Sequence, residues 1–243
     1  MTQRSMLAGP APIVVIPAGG NVIVEGWESD RVQAESDRRW GLELEKRQAT
    51  SLGRERARAA IGERVLFDVS FDNPFSRKGR LTKDLQGEVI AAKLYGDGKV
   101  RVPVHSEIVV YAGHDVEVRH IQGRVLATSG RDLQLRDVQV LAHAAAGGDL
   151  DIDCATLDGS EFIFGAGRDV RFFVHDLTDA HIWINEHGAY WEAILGDGRL
   201  PIRIKAGGDV TLVTDQVVKG QPPYFLLGNI ERPAATSETT QQD

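Results

Sequence analysis

Five aspartates, Asp115, Asp132, Asp149, Asp169 and Asp209, each lie two residues beyond a glycine, in the fragments AGHD, SGRD, AGGD, AGRD and AGGD. Repeated carboxylates beside glycines build oxygen-rich calcium sites in some β-rolls. Such rolls need Gly-Gly-x-Gly-x-Asp in every half coil, and the intervening half coils here carry nothing similar, so turn-forming aspartates are the better reading. Asp149, Asp151 and Asp153 alternate along one stretch and project to one side, which makes them a secondary candidate for a metal. Of the seven histidines, His175, His181 and His187 with Asp176, Asp179 and Glu186 form the densest set. The three fall at different corners of the repeat described below, and no HExxH or paired-Cys pattern accompanies them, so they read as surface histidines. Cys154 stands between Asp153 and Ala155 with no evident base, and no Gly-x-Ser-x-Gly elbow is present. Polysaccharide lyases and hydrolases built on β-helices use outward acidic and basic side chains, which keeps Asp151, Asp153 and Arg171 in view. No catalytic residue, metal or cofactor is assigned. Phe173, Trp183 and Trp191 are expected to point outward, with Phe173 and Trp191 in one column, as a stacking platform for a sugar or an apolar patch for a protein. The basic stretches 54–58 and 76–80 (SRKGR) read as solvated surface or as a dock for an acidic partner.

A repeat positions these residues. Residues 112–118 (AGHDVEV), 129–135 (SGRDLQL), 146–152 (AGGDLDI), 166–172 (AGRDVRF) and 206–212 (AGGDVTL) share one template, and 18–24 (AGGNVIV) matches it with Asn21 for Asp. The five begin 17, 17, 20 and 40 residues apart, and the 40 is expected to split at Glu186, where EHGAYWE fills the place of a further coil. A period of 17 to 20 residues is too short for a helical hairpin or a propeller blade and fits one coil of a parallel β-solenoid. After each Asp the residues alternate, so Val116/Val118, Leu133/Leu135, Leu150/Ile152, Val170/Phe172 and Val210/Leu212 face inward. A second inward pair precedes the next turn: Val125/Ala127, Ala142/Ala144, Phe162/Phe164, Ile182/Ile184 and Ile202/Ile204. The larger pairs fall in the 20-residue coils.

Residues 12–230 are expected to form one β-solenoid domain: irregular N-terminal coils over 13–95, interrupted by an insertion at 48–64, then regular coils over 96–220. Residues 49–61 (ATSLGRERARAAI) have the composition of a short basic helix. The tail 231–243 lacks anchoring apolar residues and reads as disordered.

Composition bounds the partner. The 243 residues are 42% hydrophobic, enough for one large all-β domain. A net charge of −7 disfavours nucleic acid. The single cysteine excludes an internal disulfide. Pro10, Pro12 and Pro17 break the apolar stretch that a signal peptide would need, and no apolar run is long enough to span a bilayer. A cytoplasmic protein without direct membrane insertion is expected.

The segments GGNVIVEGWESDRVQAES and VPVHSEIVVYAGHDVEVRHIQGRVLATSGRDLQLRDVQV resemble the bacterial putative-adhesin β-solenoids, a toastrack-like domain-of-unknown-function family, over residues 13–36 and 96–218. More distantly the architecture is similar to bactofilin-like polymer-forming β-helices, whose coils stack end to end. The resemblance implies a right-handed β-solenoid, often attached to envelope or signalling modules, and carries no catalytic residues. Repeat and resemblance together give the expectation of a noncatalytic scaffold that self-assembles or binds protein partners through its ends and outward faces. A carbohydrate-binding or adhesin module is the alternative, and a β-helix carbohydrate-active enzyme the second.

Overall fold

The computed structural model describes residues 1–39, 41–48 and 87–214 in full, and the backbone of 56–61, 64–70 and 225–227. Among these residues every regular element is a strand. In chain order they are β1 (Thr2–Leu7), β2 (Ile13–Ala18), β3 (Val22–Trp27), β4 (Arg31–Ser36), β5 (Leu42–Gln48), β6 (Arg56–Ile61), β7 (Arg64–Ser70), β8 (Glu88–Leu94), β9 (Gly98–Pro103) and β10 (Glu107–Ala112). The second half of the chain adds β11 (Val116–Ser129), β12 (Leu133–Ala146), β13 (Leu150–Leu157), β14 (Phe162–Ala166), β15 (Val170–Val174), β16 (Ala180–Glu186), β17 (Ala189–Leu195), β18 (Leu200–Ala206), β19 (Val210–Thr214) and β20 (Phe225–Leu227). Eighteen strands form one open mixed sheet, and β6 and β7 pair separately.

Most pairings are parallel and fall into two ladders. The first runs β9–β3–β11–β12–β13–β15–β19–β20, with Val116 beside Leu133, Leu133 beside Leu150, Leu150 beside Val170 and Val170 beside Val210. The second runs β8–β2–β10 and on through the later halves of β11 and β12 to β14, β18 and β16. The strands β11 and β12 serve both ladders, turning through register shifts beside His120 (φ 57°) and Asp137 (φ 52°). Alternation along every strand sends one set of side chains into a core shared by both ladders, including Val24, Val118, Leu135, Ile152 and Phe172 from the first and Ile16, Val110, Ala127, Ala144 and Phe164 from the second. Each fully buried aliphatic side chain contributes about 1.5–3 kcal/mol. Where windings lengthen from 17 to 20 residues the added width is filled by aromatic rings, with Phe164 and Phe172 centroids 5.3 Å apart.

The turn glycines answer to close approach rather than to left-handed backbone. A Cβ on Gly130 would lie 2.1 Å from the carbonyl oxygen of Gly113, and one on Gly147 would lie 2.2 Å from that of Gly130. One bare α-carbon per winding therefore lets neighbouring backbones reach sheet spacing at the corner.

Three expectations are corrected. In β12 a bulge turns Leu141 inward in place of Ala142, because Val125 pairs with Leu141 and Leu126 with His143, and Ala142 packs against the outward cluster of Val15, Val89, Val109 and Leu126. Residues 56–61 of the expected helix form strand β6, paired antiparallel with β7 from Arg56 opposite Ser70 to Ile61 opposite Arg64; the remainder of that stretch, and the tail 231–243, lie outside the described residues. Alternating Arg and Ala over 56–59 fits a strand as well as a helix, and pairing to β7 decides between them. No coil begins at Glu186. Instead β15 pairs directly with β19, β14 pairs directly with β18, and 180–195 form the antiparallel hairpin β16–β17 beyond β18. At the start, β2 and β3 are inserted between β8/β9 and β10/β11. Finally, antiparallel strands close that end: β4 and then β1 flank β9, and β5 flanks β8.

Leu135→Ala is expected to destabilise the chain by about 2–5 kcal/mol, and Gln134→Ala, outward on the same strand, by no more than about 0.5 kcal/mol; urea denaturation measures both, and equal costs would contradict the shared core. Likewise Gly130→Ala should lower the melting temperature clearly, whereas Gly165→Ala, whose Cβ would meet nothing within 4 Å, should change it little.

Candidate functional site

The recurring aspartates form a column of side-chain-to-backbone hydrogen bonds down one corner. The N–H of Asp132 donates to Asp115 Oδ1 at 3.2 Å, that of Asp149 to Asp132 Oδ1 at 2.9 Å, that of Asp169 to Asp149 Oδ1 at 3.2 Å and that of Asp209 to Asp169 Oδ1 at 2.8 Å. Asn21 takes its place below Asp115, and the column extends to Asp97, whose Oδ1 accepts the Asn21 N–H. Asp97 escaped the template because its fragment reads YGDGKV. The Asp149 N–H, ahead of Arg168, holds the Asp132 carboxyl below the ordinary carboxylate range against the opposing effect of burial. The turn-forming reading of these aspartates matches their geometry.

Asp149, Asp151 and Asp153 each meet a nitrogen-bearing side chain. Arg168 lies 3.0 Å from Asp149, Arg171 lies 3.0 Å from Asp151, and His175 Nε2 lies 2.8 Å from Asp153. Of the densest histidine set, Asp179 is taken up by Arg199 and His181 faces Glu192 at 3.5 Å, whereas His187 and Glu186 come together with Asp209. Cys154 is buried, and burial with the neighbouring Asp153 pushes its thiol up to about 12, so it stays protonated at neutral pH.

The three aromatic candidates part company. Trp183 points outward from β16, its ring stacked on His181 at 3.8 Å with the Arg203 guanidinium 5.7 Å from its centroid. Phe173 is half-buried on the first ladder, 4.2 Å from the ring of His175. Trp191 packs against the core, because β17 runs antiparallel to β16 and sets Trp191 beside Ile184. The expected column of Phe173 and Trp191 therefore does not form.

Pairing register brings a different group together on the outward face of the second ladder. Ile163, Arg203, Trp183 and Glu192 lie side by side across β14, β18, β16 and β17, and Gly165, Lys205, Asn185 and Tyr190 form the next row. Ile163 is 60% exposed and Tyr190 79% exposed. The sequence analysis missed both: alternation between inward Phe162 and Phe164 is a signal for Ile163, whereas Tyr190 needs the hairpin. Earlier in the same ladder the outward face is buried instead. Val89, Val15, Val109 and Leu126 form a second apolar cluster, and β7 meets β2, both of whose edges are already paired.

No family model and no curated protein matches the chain. Among solved structures it is similar to a putative cell adhesion protein from Clostridium sporogenes, with a TM-score of 0.42 and 10% identity over 87% of this chain and 98% of that one.

His143 lies beside Leu126 in register, and burial pushes its imidazole down to about 4. The unfolded chain binds this proton near pH 6.5 and the folded chain resists it, so stability is expected to fall as pH drops from about 6.5 to about 4. Denaturant titrations across that range should show a shallower decline in His143→Gln; an identical decline would remove His143 as its source.

Proposed function

We propose that the chain is a noncatalytic β-solenoid, its two ladders forming walls of one right-handed winding, and that it acts as a scaffold. It engages a protein, either a second copy or another chain, through the outward wall around Ile163, Trp183 and Tyr190. The single observation that carries this reading is the register that gathers apolar and aromatic side chains, with Arg203 and Glu192, on four adjacent strands of one exposed face. Aromatic residues and arginine are enriched in protein interfaces and among their hot spots. Trp183 is braced between His181 and Arg203 before any partner arrives, which lowers the ordering cost of binding. Faces are favoured over ends, because the antiparallel strands β1, β4 and β5 oppose stacking of another parallel winding at the first end.

A carbohydrate or adhesive role is the second reading. It is favoured by the ring of Tyr190, open to solvent, with Asn185 and Lys205 in the same row as hydrogen-bonding groups. The carbohydrate-active enzyme is not favoured by this geometry, since Asp151 is engaged by Arg171 and Asp153 by His175 along one face of the ladder.

Light scattering over a dilution series should show a mass that rises with concentration. Tyr190→Ala together with Ile163→Ser should weaken that association by about 2 kcal/mol or more while leaving melting nearly unchanged. A monomer at every concentration would end the self-association reading, and a glycan array on which only the unmodified chain binds would move the assignment to the second reading.

A further inference from the structure

Among the described residues the Asp column runs to Asp209, where side chains take up its next bonds. In every earlier turn the Asp Oδ1 accepts the N–H of the next Asp, while the residue after the Asp donates its own N–H to the next Asp carbonyl, as Leu150 does to Asp169 and Val170 to Asp209. At the last turn Val210 N–H donates to Glu186 Oε1 at 3.2 Å, and Asp209 Oδ1 lies 3.0 Å from His187 Nε2. Both partners come from the tip of the β16–β17 hairpin, where His187 and Gly188 adopt φ of 48° and 82° in the two-residue turn. The tip thereby holds an imidazole and a carboxylate against a second carboxylate.

Charge around the column is uneven. Arg131 pairs with Asp115, and Arg168 pairs with Asp132 and Asp149. Among the described residues no lysine or arginine forms an ion pair with Glu186 or Asp209, and Glu186 is only 6% exposed. A buried carboxylate without a cation is costly. One donor atom each from Glu186, His187 and Asp209 lies within 4.8 Å of the other two.

We propose that Glu186, His187 and Asp209 form a binding site for one divalent transition-metal ion of the zinc class. Tetrahedral bonds of about 2.0–2.2 Å from nitrogen and oxygen place donor atoms about 3.3–3.6 Å apart, so a closing movement of about 1 Å completes the chelate. The imidazole selects against calcium and magnesium, which prefer all-oxygen shells. Glu186 keeps one oxygen on the Val210 N–H, an outer contact that fixes the carboxylate, and offers the other to the ion. Exposure of His187 and Asp209 gives the ion a route in and leaves coordination positions for water. The site is separate from the outward wall, so the two readings stand or fall independently.

The untagged full chain is titrated with zinc chloride by calorimetry at neutral pH, and cobalt(II) binding is followed by its visible absorption. One equivalent of zinc is expected to bind, weakened about tenfold or more by His187→Gln and by Asp209→Asn. Glutamine retains a donor for Asp209, which separates ligation from completion of the column, and His175→Ala should leave affinity unchanged. The proposal is overturned if the unmodified chain binds no zinc, or if His187→Gln and Asp209→Asn bind it as tightly as the parent.

Discussion

The approach of one backbone corner to the next is the constraint on which the rest depends. At Gly113, Gly130, Gly147, Gly167 and Gly207 a bare α-carbon faces the carbonyl of the preceding winding, leaving no room for a Cβ. The neighbouring aspartate converts that proximity into a directed bond, because its carboxylate oxygen accepts the N–H of the next aspartate. Glycine permits the approach and aspartate fixes the register. Side-chain period in a strand is two, so a slip of one residue would turn every inward aliphatic to solvent. The corner therefore locks the identity of the core, and the core's apolar burial supplies most of the stabilisation.

Winding length and core content are coupled through this geometry. With the corner fixed, the repeat gains three residues between turns, and the core side chains there change from Val125 and Ala127 to Phe162 and Phe164. Underfilled space would forfeit packing contacts. Termination follows similar economy. At the first end antiparallel strands take the exposed hydrogen-bonding edges, and beside Asp209 the dipeptide Glu186–His187 supplies an acceptor and a ring nitrogen where earlier corners present a carbonyl and an N–H.

The windings were legible because the corner needs particular residue types at fixed spacing, which local sequence displays. Most of their inward residues between Val116 and Leu212 followed from alternation, but the bulge at Ala142 broke the period and put Leu141 inward in its place. What escaped depends on pairing between distant segments. Alternation is identical in parallel and antiparallel strands, so Ile182/Ile184 looked like another rung, and only the reversal at His187 and Gly188 turns Trp191 inward. Likewise nothing local announces that β2 and β3 enter between β8/β9 and the later windings. The densest histidine set was judged on spacing along the chain, which hid Asp209 as the third neighbour of Glu186 and His187, since 22 residues separate His187 from it. The basic segment at 56–61 carries too little pattern to separate helix from strand.

The two outward walls differ in how far they satisfy themselves, and that difference points to where recognition belongs. On the first ladder, Glu25 is shared by Lys99, Arg101 and Arg119, and the Lys99 bond foremost holds its carboxyl below the usual range. Further along the same ladder Asp151 and Asp153 are matched by Arg171 and His175. Such surface pairs add little stability, yet they leave few charges seeking a partner. The second ladder begins with a buried outward stripe at Val15, Val109 and Leu126 and ends with Ile163 and Tyr190 in solvent. A wall whose apolar side chains are covered over only part of its length has a surface whose burial would be favourable and has not occurred among the described residues. Under the proposed function, the region beyond β14, rather than the ion-paired wall or the strand-capped end, is therefore where another molecule would gain most by binding.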